Sequence, residues 1–165
     1  MKKGEIYEGV IEKVDFPNKG YVFVEDQKVL IKNGIPGQKV RFMIQKKRSG
    51  RAQGRILEVL EKSPLETREP VCSNFPACGG CMYQTMSYEN QLHMKETQIR
   101  ELLEDALVQG GQVDENGNAD FEWEGIHGSP IEFGYRNKME FLLEMKSKTD
   151  RFPLAFIRRE VRMIS

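Results

Sequence analysis

No apolar run in this sequence approaches the ~20 residues that a membrane-spanning helix needs, so a membrane is not among the expected partners. The start, Met1-Lys2-Lys3-Gly4-Glu5, leads into a strand-like pattern and not an apolar core, so no secretory signal is read. Cysteine occurs three times only. An odd count without a secretory signal argues against a disulfide framework and for a reducing cytoplasm. No glycine-rich strand–turn–helix nucleotide fingerprint is present, which leaves no cofactor pocket of that kind to expect. What remains is a composition of 39% hydrophobic and 30% charged residues over 165 positions, which reads as soluble, globular, and one large domain or two small ones.

The absence of net charge hides an asymmetry. Residues 1–62 carry 14 Lys and Arg against 8 Asp and Glu, a net of +6, and residues 63–165 carry 11 against 17, a net of −6. A basic front and an acidic rear suggest two units with different partners, and the front could face a polyanion. The same +6 is also what a solvated surface would show.

The basic unit reads as five short strands with tight turns between them. Glu5 to Val14 is the first, followed by the turn Asn18-Lys19-Gly20. Tyr21 to Val24 is a short apolar strand with Glu25-Asp26 as its turn, and Lys28 to Lys32 is the third. Asn33-Gly34-Ile35-Pro36-Gly37 is turn chemistry. Lys39 to Lys46 then alternates, with Val40, Phe42 and Ile44 on one face, and Arg51 to Glu61 is the fifth strand. Five strands in some sixty residues predict a small closed barrel of the OB or SH3-like kind. A linker with Ser63-Pro64-Leu65 follows. Ser87 is a good N-cap for a helix in which Tyr88, Leu92, Ile99, Leu102, Leu103 and Ala106 recur at helical spacing, and Gly110-Gly111 stops it. Strands are expected at Phe121 to Ile126, Tyr135 to Met145 and Phe152 to Arg159. The chain is thus predicted to be mainly β with one helix, an α+β arrangement of three parts: a barrel over 1–62, a linker and cysteine loop over 63–84, and a helix plus antiparallel β segment over 85–165. The end at Arg162-Met163-Ile164-Ser165 carries apolar residues and no cap, as expected of a cut inside a larger protein.

All the cysteines lie in ten residues, Cys72, Cys78 and Cys81, spaced C-x5-C-x2-C with Gly79-Gly80 in the last gap. Thiolates this close on a glycine-containing loop can converge on one metal centre. An iron–sulfur cube tolerates a wide loop, and glycines let backbone N–H groups approach its sulfurs. Structural zinc usually takes two ligand pairs; a second pair is missing, although His93 or His127 could complete a site of three cysteines and one histidine. Three thiols that bind nothing are the third possibility.

The cysteine loop continues as Cys78-Gly79-Gly80-Cys81-Met82-Tyr83-Gln84-Thr85-Met86-Ser87-Tyr88-Glu89-Asn90-Gln91-Leu92-His93-Met94-Lys95. This run resembles the RNA uracil-5 methyltransferases that act on ribosomal and transfer RNA. Their pattern is a CGGC segment, a Gln three residues on, a Tyr four after that, then Gln-Leu-x-x-Lys; Gln84, Tyr88, Gln91, Leu92 and Lys95 match it. Gly134-Tyr135-Arg136-Asn137-Lys138-Met139-Glu140-Phe141 also looks like that family. The front barrel, with Gly4, Gly20, Ile35-Pro36-Gly37-Gln38-Lys39-Val40 and Ser63-Pro64, resembles a TRAM domain, a small RNA-binding barrel.

The resemblance implies that Cys72, Cys78 and Cys81 ligate a 4Fe-4S cluster whose fourth ligand is a cysteine this chain lacks. It implies a parent enzyme of the 23S rRNA (uracil-5-)-methyltransferase kind, with ribosomal more than transfer RNA as partner. S-adenosylmethionine, a nucleophilic cysteine and a base would lie on a C-terminal methyltransferase domain. No catalytic residue is therefore expected here, and the chain alone should be inactive. In such an enzyme a thiolate adds to carbon 6 of uracil, carbon 5 takes the methyl group, and a base removes the proton. This chain's part would be recognition. Lys46, Lys47, Arg48, Arg51 and Arg55, five cations in ten residues around a hairpin, are the RNA-binding candidates. Tyr21 and Phe23 are stacking candidates or core, and Arg136 and Lys138 would touch RNA or the absent domain. The alternative is a stand-alone RNA-binding module with a structural zinc or iron site. A radical enzyme is disfavoured, since those typically use C-x3-C-x2-C and a barrel larger than this chain.

Overall fold

Apolar and polar residues that alternate along a strand put one of its faces into a core. In the computed structural model, which describes residues 1–48, 50–76 and 80–135 and the backbone of two short strands beyond them, six strands form one sheet. They are β1 (Ile6–Val10), β2 (Lys13–Asp15), β3 (Lys19–Val24), β4 (Gln27–Lys32), β5 (Lys39–Arg48) and β6 (Arg51–Glu61). Their order is β1-β5-β6-β4-β3-β2. Neighbours are antiparallel except β4 and β6, which run parallel with Ile31 opposite Gly54. Val40, Phe42 and Ile44 face inward as their alternation predicts, and meet Val22, Val29 and Ile31; all six are 0% exposed. The fold is mainly β with one helix among the described residues, and that helix is not long and apolar enough to cross a membrane.

The expected five-stranded closed barrel is replaced by a curled, open sheet of six strands. The difference arises at Ile11 and Glu12, inside what reads as one strand from Glu5 to Val14. Ile11 still pairs on the β5 side: its N–H donates to the Gln38 carbonyl at 2.9 Å and its own carbonyl accepts the Gly37 N–H at 2.7 Å. One residue later the Glu12 N–H donates to the Tyr21 carbonyl at 3.0 Å, on the β3 side. A twisted sheet cannot keep one straight strand beside both neighbours, so the run bends and becomes β1 and β2. Two glycines permit the tight curl. A Cβ on Gly9 would collide with the Val22 side chain, and one on Gly54 would lie 2.7 Å from both Ile31 Cδ1 and Phe42 Cδ2. Glu25 (φ 49°) and Asp26 (φ 61°) close the β3–β4 hairpin, with the left-handed pair of backbone conformations that a two-residue hairpin needs.

The helix, α1 (Tyr88–Gln109), begins where its cap predicts. Ser87 is extended and its Oγ accepts the Asn90 N–H at 3.1 Å. It ends in a Schellman turn: Gly111 has φ 76°, the Gln112 N–H reaches the Leu107 carbonyl, and the Gly111 N–H reaches Val108. The polar loop after it is pinned by Asp114, whose carboxylate accepts the N–H groups of Asn118 and Asn116 and is thereby held below the usual carboxylate range.

Residues 121–126, expected as a strand, form none. They run along α1 and bond to its side chains: Trp123 Nε1 donates to Glu96 at 2.7 Å, and further on the Ser129 N–H donates to the Tyr88 hydroxyl at 2.6 Å. With a helix as neighbour there is no backbone edge to pair with. Of the last two expected strands, β7 (Leu142–Leu143) and β8 (Leu154–Ala155) are described and pair antiparallel; their remaining residues from 136 on lie outside the described residues.

Candidate metal centre and nucleic-acid interface

The cysteine loop is built on a polar clasp. Ser63, 3% exposed, donates from Oγ to the Pro36 carbonyl at 2.5 Å and so ties the linker to the sheet. Glu66 is the hub of the clasp. Its carboxylate accepts the Ser63 N–H, the Gln38 amide and the Thr85 hydroxyl at 2.7, 2.9 and 2.8 Å. Outgoing and returning arms of the loop then lie side by side. The Arg68 N–H donates to the Thr85 carbonyl, and Arg68 Nε donates to the Gln84 carbonyl at 3.0 Å. At the far end the Gln84 side chain accepts the Cys72 N–H at 3.1 Å. Cys72 and Cys81 are both exposed and free. Cys78 lies outside the described residues.

Cys72 and Cys81 supply thiol donors of the kind that iron–sulfur clusters and zinc take. Two soft sulfur donors stand in the open at the tip of a braced loop, neither buried nor bridged. Among the described residues no three His, Cys, Asp or Glu side chains gather into a metal site. His93 and His127 are exposed, on α1 and on the segment beyond it.

Of the motif residues singled out beside the cysteines, Gln91 joins loop to helix and the others act elsewhere. Gln84 braces Cys72. Gln91 Nε2 donates to the carbonyls of Tyr83 and Met86 at 3.1 and 3.2 Å. Tyr88 accepts from Ser129, and the Leu92 side chain packs at Gly128. Lys95 is exposed.

The expected RNA-binding cations divide into two places. Lys46 and Lys47 are exposed at the end of β5, and Arg51 is exposed at the start of β6, opposite Arg48 in register. Lys47 Nζ donates to the Met1 carbonyl at 3.2 Å, and among the described residues no carboxylate pairs with Lys46, Lys47 or Arg51. Arg55 lies further along β6, half-buried, in a cleft against the cysteine loop. Cations along the middle of the sheet are spent on carboxylates. Lys39 pairs with Glu61 and Arg41 with Glu8 and Glu58, and these carboxylates push both basic groups above their usual pKa. The β5–β6 hairpin tip thus gathers Lys46, Lys47 and Arg51 without a carboxylate partner among the described residues. Phe23 is 47% exposed and therefore not core, while Tyr21 is half-buried with Lys28 Nζ 3.5 Å above its ring. Burial, then a hydrogen bond to Asp15, pushes the Tyr21 hydroxyl up. Arg136 and Lys138 lie outside the described residues.

No family model matches the chain. Individual proteins do. Over 141 residues, 86% of this chain, it is 44% identical to an uncharacterized RNA methyltransferase of Caldanaerobacter subterraneus subsp. tengcongensis and 43% identical to one of Clostridium tetani. A third, from Clostridium acetobutylicum, is 39% identical over the same length. The chain is similar to proteins named as RNA methyltransferases. It spans 28–29% of the length of these relatives.

Sequence reasoning missed the residues that join the parts. Glu66 and Arg68 sit in a stretch that reads only as linker. Gln98 sits on α1 among exposed neighbours, yet it is 7% exposed and its amide donates to the Val14 carbonyl at 2.6 Å. A polar residue on a helix carries no local signal that its partner lies 84 positions away.

Proposed function

We propose that this chain is the RNA-binding and iron–sulfur portion of an S-adenosylmethionine-dependent RNA uracil-5 methyltransferase acting on 23S rRNA, with the methyl-transfer chemistry on the part of such an enzyme that this chain does not span. The observation that carries the proposal is the match of 86% of the chain, at up to 44% identity, to proteins named RNA methyltransferases of which it spans only 29%. In this reading Cys72, Cys78 and Cys81 hold three corners of a 4Fe-4S cluster, and a ligand other than this chain's three cysteines holds the fourth. A bound cluster would cross-link the loop and stiffen it against the sheet. The clasp through Glu66, Arg68 and Gln84 holds the loop arms in place and presents the thiols outward. Lys46, Lys47, Arg48 and Arg51 at the hairpin tip take RNA phosphates, and Phe23 offers an exposed ring for an unstacked base. Arg136 and Lys138 extend the contact to RNA or to the catalytic part.

The test is a salt titration of binding to fragments of 23S rRNA, using chain prepared anaerobically with iron and sulfide. Each phosphate contact to a single strand contributes roughly 0.7 to the log–log slope, so replacing Lys46, Lys47 and Arg48 together by Ala is expected to lower it by about 2. The same preparations should carry iron, and Cys72→Ser should lose it. An unchanged slope, or stoichiometric zinc with no iron, contradicts the reading.

A further inference from the structure

The cleft beside Arg55 has a shape and chemistry that the hairpin tip lacks. It holds about 250 Å³ between the sheet and the cysteine loop. Its floor is apolar: Ile35 from the turn between β4 and β5, and Ile56 and Val59 from β6. Its opposite wall comes from the cysteine loop: Phe75, Pro76 and Met82. Phe75 is half-buried, so its ring is held in place without being covered.

Charge at the mouth is positive. Lys32, Arg55 and Lys62 line it. Lys62 and Glu69, 3.4 Å apart, cancel each other, and Glu66 keeps its charge because its clasp donors Ser63, Gln38 and Thr85 are neutral, so the three cations and two carboxylates of the lining leave a net +1. Lys32 is exposed and has no carboxylate partner among the described residues. An apolar cleft with a cationic mouth matches a nucleotide, whose base is apolar on its faces and whose phosphate is an anion. At 250 Å³ the cleft is smaller than the roughly 300–1,000 Å³ of sites for drug-sized molecules and is of a size for one base.

The cleft is also on the path from the hairpin tip. Arg51, Gln53 and Arg55 alternate onto one face of β6, so a polar rail of about 13 Å runs from the exposed Arg51 to the cleft. A strand whose phosphates sit at the tip would pass the cleft within a few nucleotides.

We propose that this cleft binds one unstacked nucleotide of single-stranded RNA, its base beside Phe75 over the Ile56–Val59 floor and its phosphate at Lys32. The proposal rests on the reading of the chain as RNA-binding. It makes the cysteine loop a wall of the base pocket, so that RNA contact and the state of the cysteines meet in one place.

The experiment uses the whole chain and a decamer of uridylate carrying 4-thiouridine, photo-cross-linked and mapped by peptide mass. Cross-links are expected in residues 70–76 or 82–85. Phe75→Leu, which keeps the wall apolar but removes the ring, is expected to weaken binding about tenfold without changing the salt slope, because stacking carries no phosphate charge. Lys32→Gln should lower the slope by about 0.7. If the decamer binds with a slope that depends on Lys46 and Lys47, while Phe75→Leu is silent and cross-links fall only in the hairpin or β3, the pocket is wrong and RNA binding stands. If the wild-type chain does not bind the decamer at low salt, RNA binding itself fails and the pocket with it.

Discussion

The sheet and the loop-plus-helix region are held together by different physics. The sheet encloses ten buried apolar side chains, from Ile11 to Ile56, in one cluster. Beneath the loop and helix, among the described residues, Ile35, Met86 and Met94 form a smaller one. Helix α1 has two buried residues, Met94 and Gln98, and leaves Ile99, Leu102, Leu103 and Val108 exposed. Burial of a large apolar side chain stabilises by about 1.5–3 kcal/mol and is indifferent to direction. Hydrogen bonds contribute less each, but they fix orientation. The sheet is accordingly a scaffold, and the cysteine loop and helix are oriented on it by polar ties: Ser63 to Pro36, Gln98 to Val14, and Lys13 to Glu101 at 2.7 Å. A site that must present thiols outward can be aimed by such ties without burying the thiols.

Removing the largest buried side chain of the sheet should have the largest effect. Phe42 is 0% exposed and its ring centroid lies 6.3 Å from that of Tyr7. Phe42→Ala is expected to cost about 3–5 kcal/mol in urea unfolding, and to loosen the helix as well, since the helix docks on the sheet. Loss confined to the helix would invert the comparison.

Gln98→Ala probes the other side of it. It leaves the Val14 carbonyl without its 2.6 Å partner and should cost about 1–3 kcal/mol, read by hydrogen exchange as lost protection in α1 with β3–β6 unchanged. Equal loss in both regions would show that they unfold as one unit.

The smallest effect is electrostatic and on the sheet surface. The Tyr7 hydroxyl donates to Glu5 at 2.6 Å. That bond pushes the tyrosine up to about 12 and, with the Lys2 N–H, holds the Glu5 carboxyl below its usual value. The Glu5 contribution is present above the carboxyl's unfolded value and is lost as pH falls through its lower folded value. The Tyr7 contribution is complete below about pH 10 and is lost as pH rises through about 12. In a tyrosinate absorbance titration, Glu5→Gln should bring the Tyr7 transition down towards 10; a transition that stays put would show that the bond does not form in solution.

Much of the secondary structure was legible because it is local. Val40, Phe42 and Ile44 alternate, Glu25-Asp26 turns, Ser87 caps, and Gly110-Gly111 stops the helix, each within a few residues of its partner. The misreadings are all non-local. The bend at Ile11–Glu12 depends on β3 and β5 competing for one strand, and the residues from 121 to 126 depend on lying beside α1. In the candidate site the sequence pointed to the cysteines, the hairpin cations and Gln84, Tyr88 and Gln91. It could not point to the cleft that Arg55 lines, away from the hairpin tip.

By itself the sequence determined the periods, the caps, the turns and the donor chemistry, because each depends on the order of residues along a few ångströms of chain. Only the tertiary structure decided that the sheet curls open with six strands, that Glu66 and Gln98 carry the joints, and that the cysteine loop walls a cleft over the sheet. Those depend on pairings across long stretches of chain, where loop-closure entropy is met by burial and by polar groups that no neighbour in sequence satisfies.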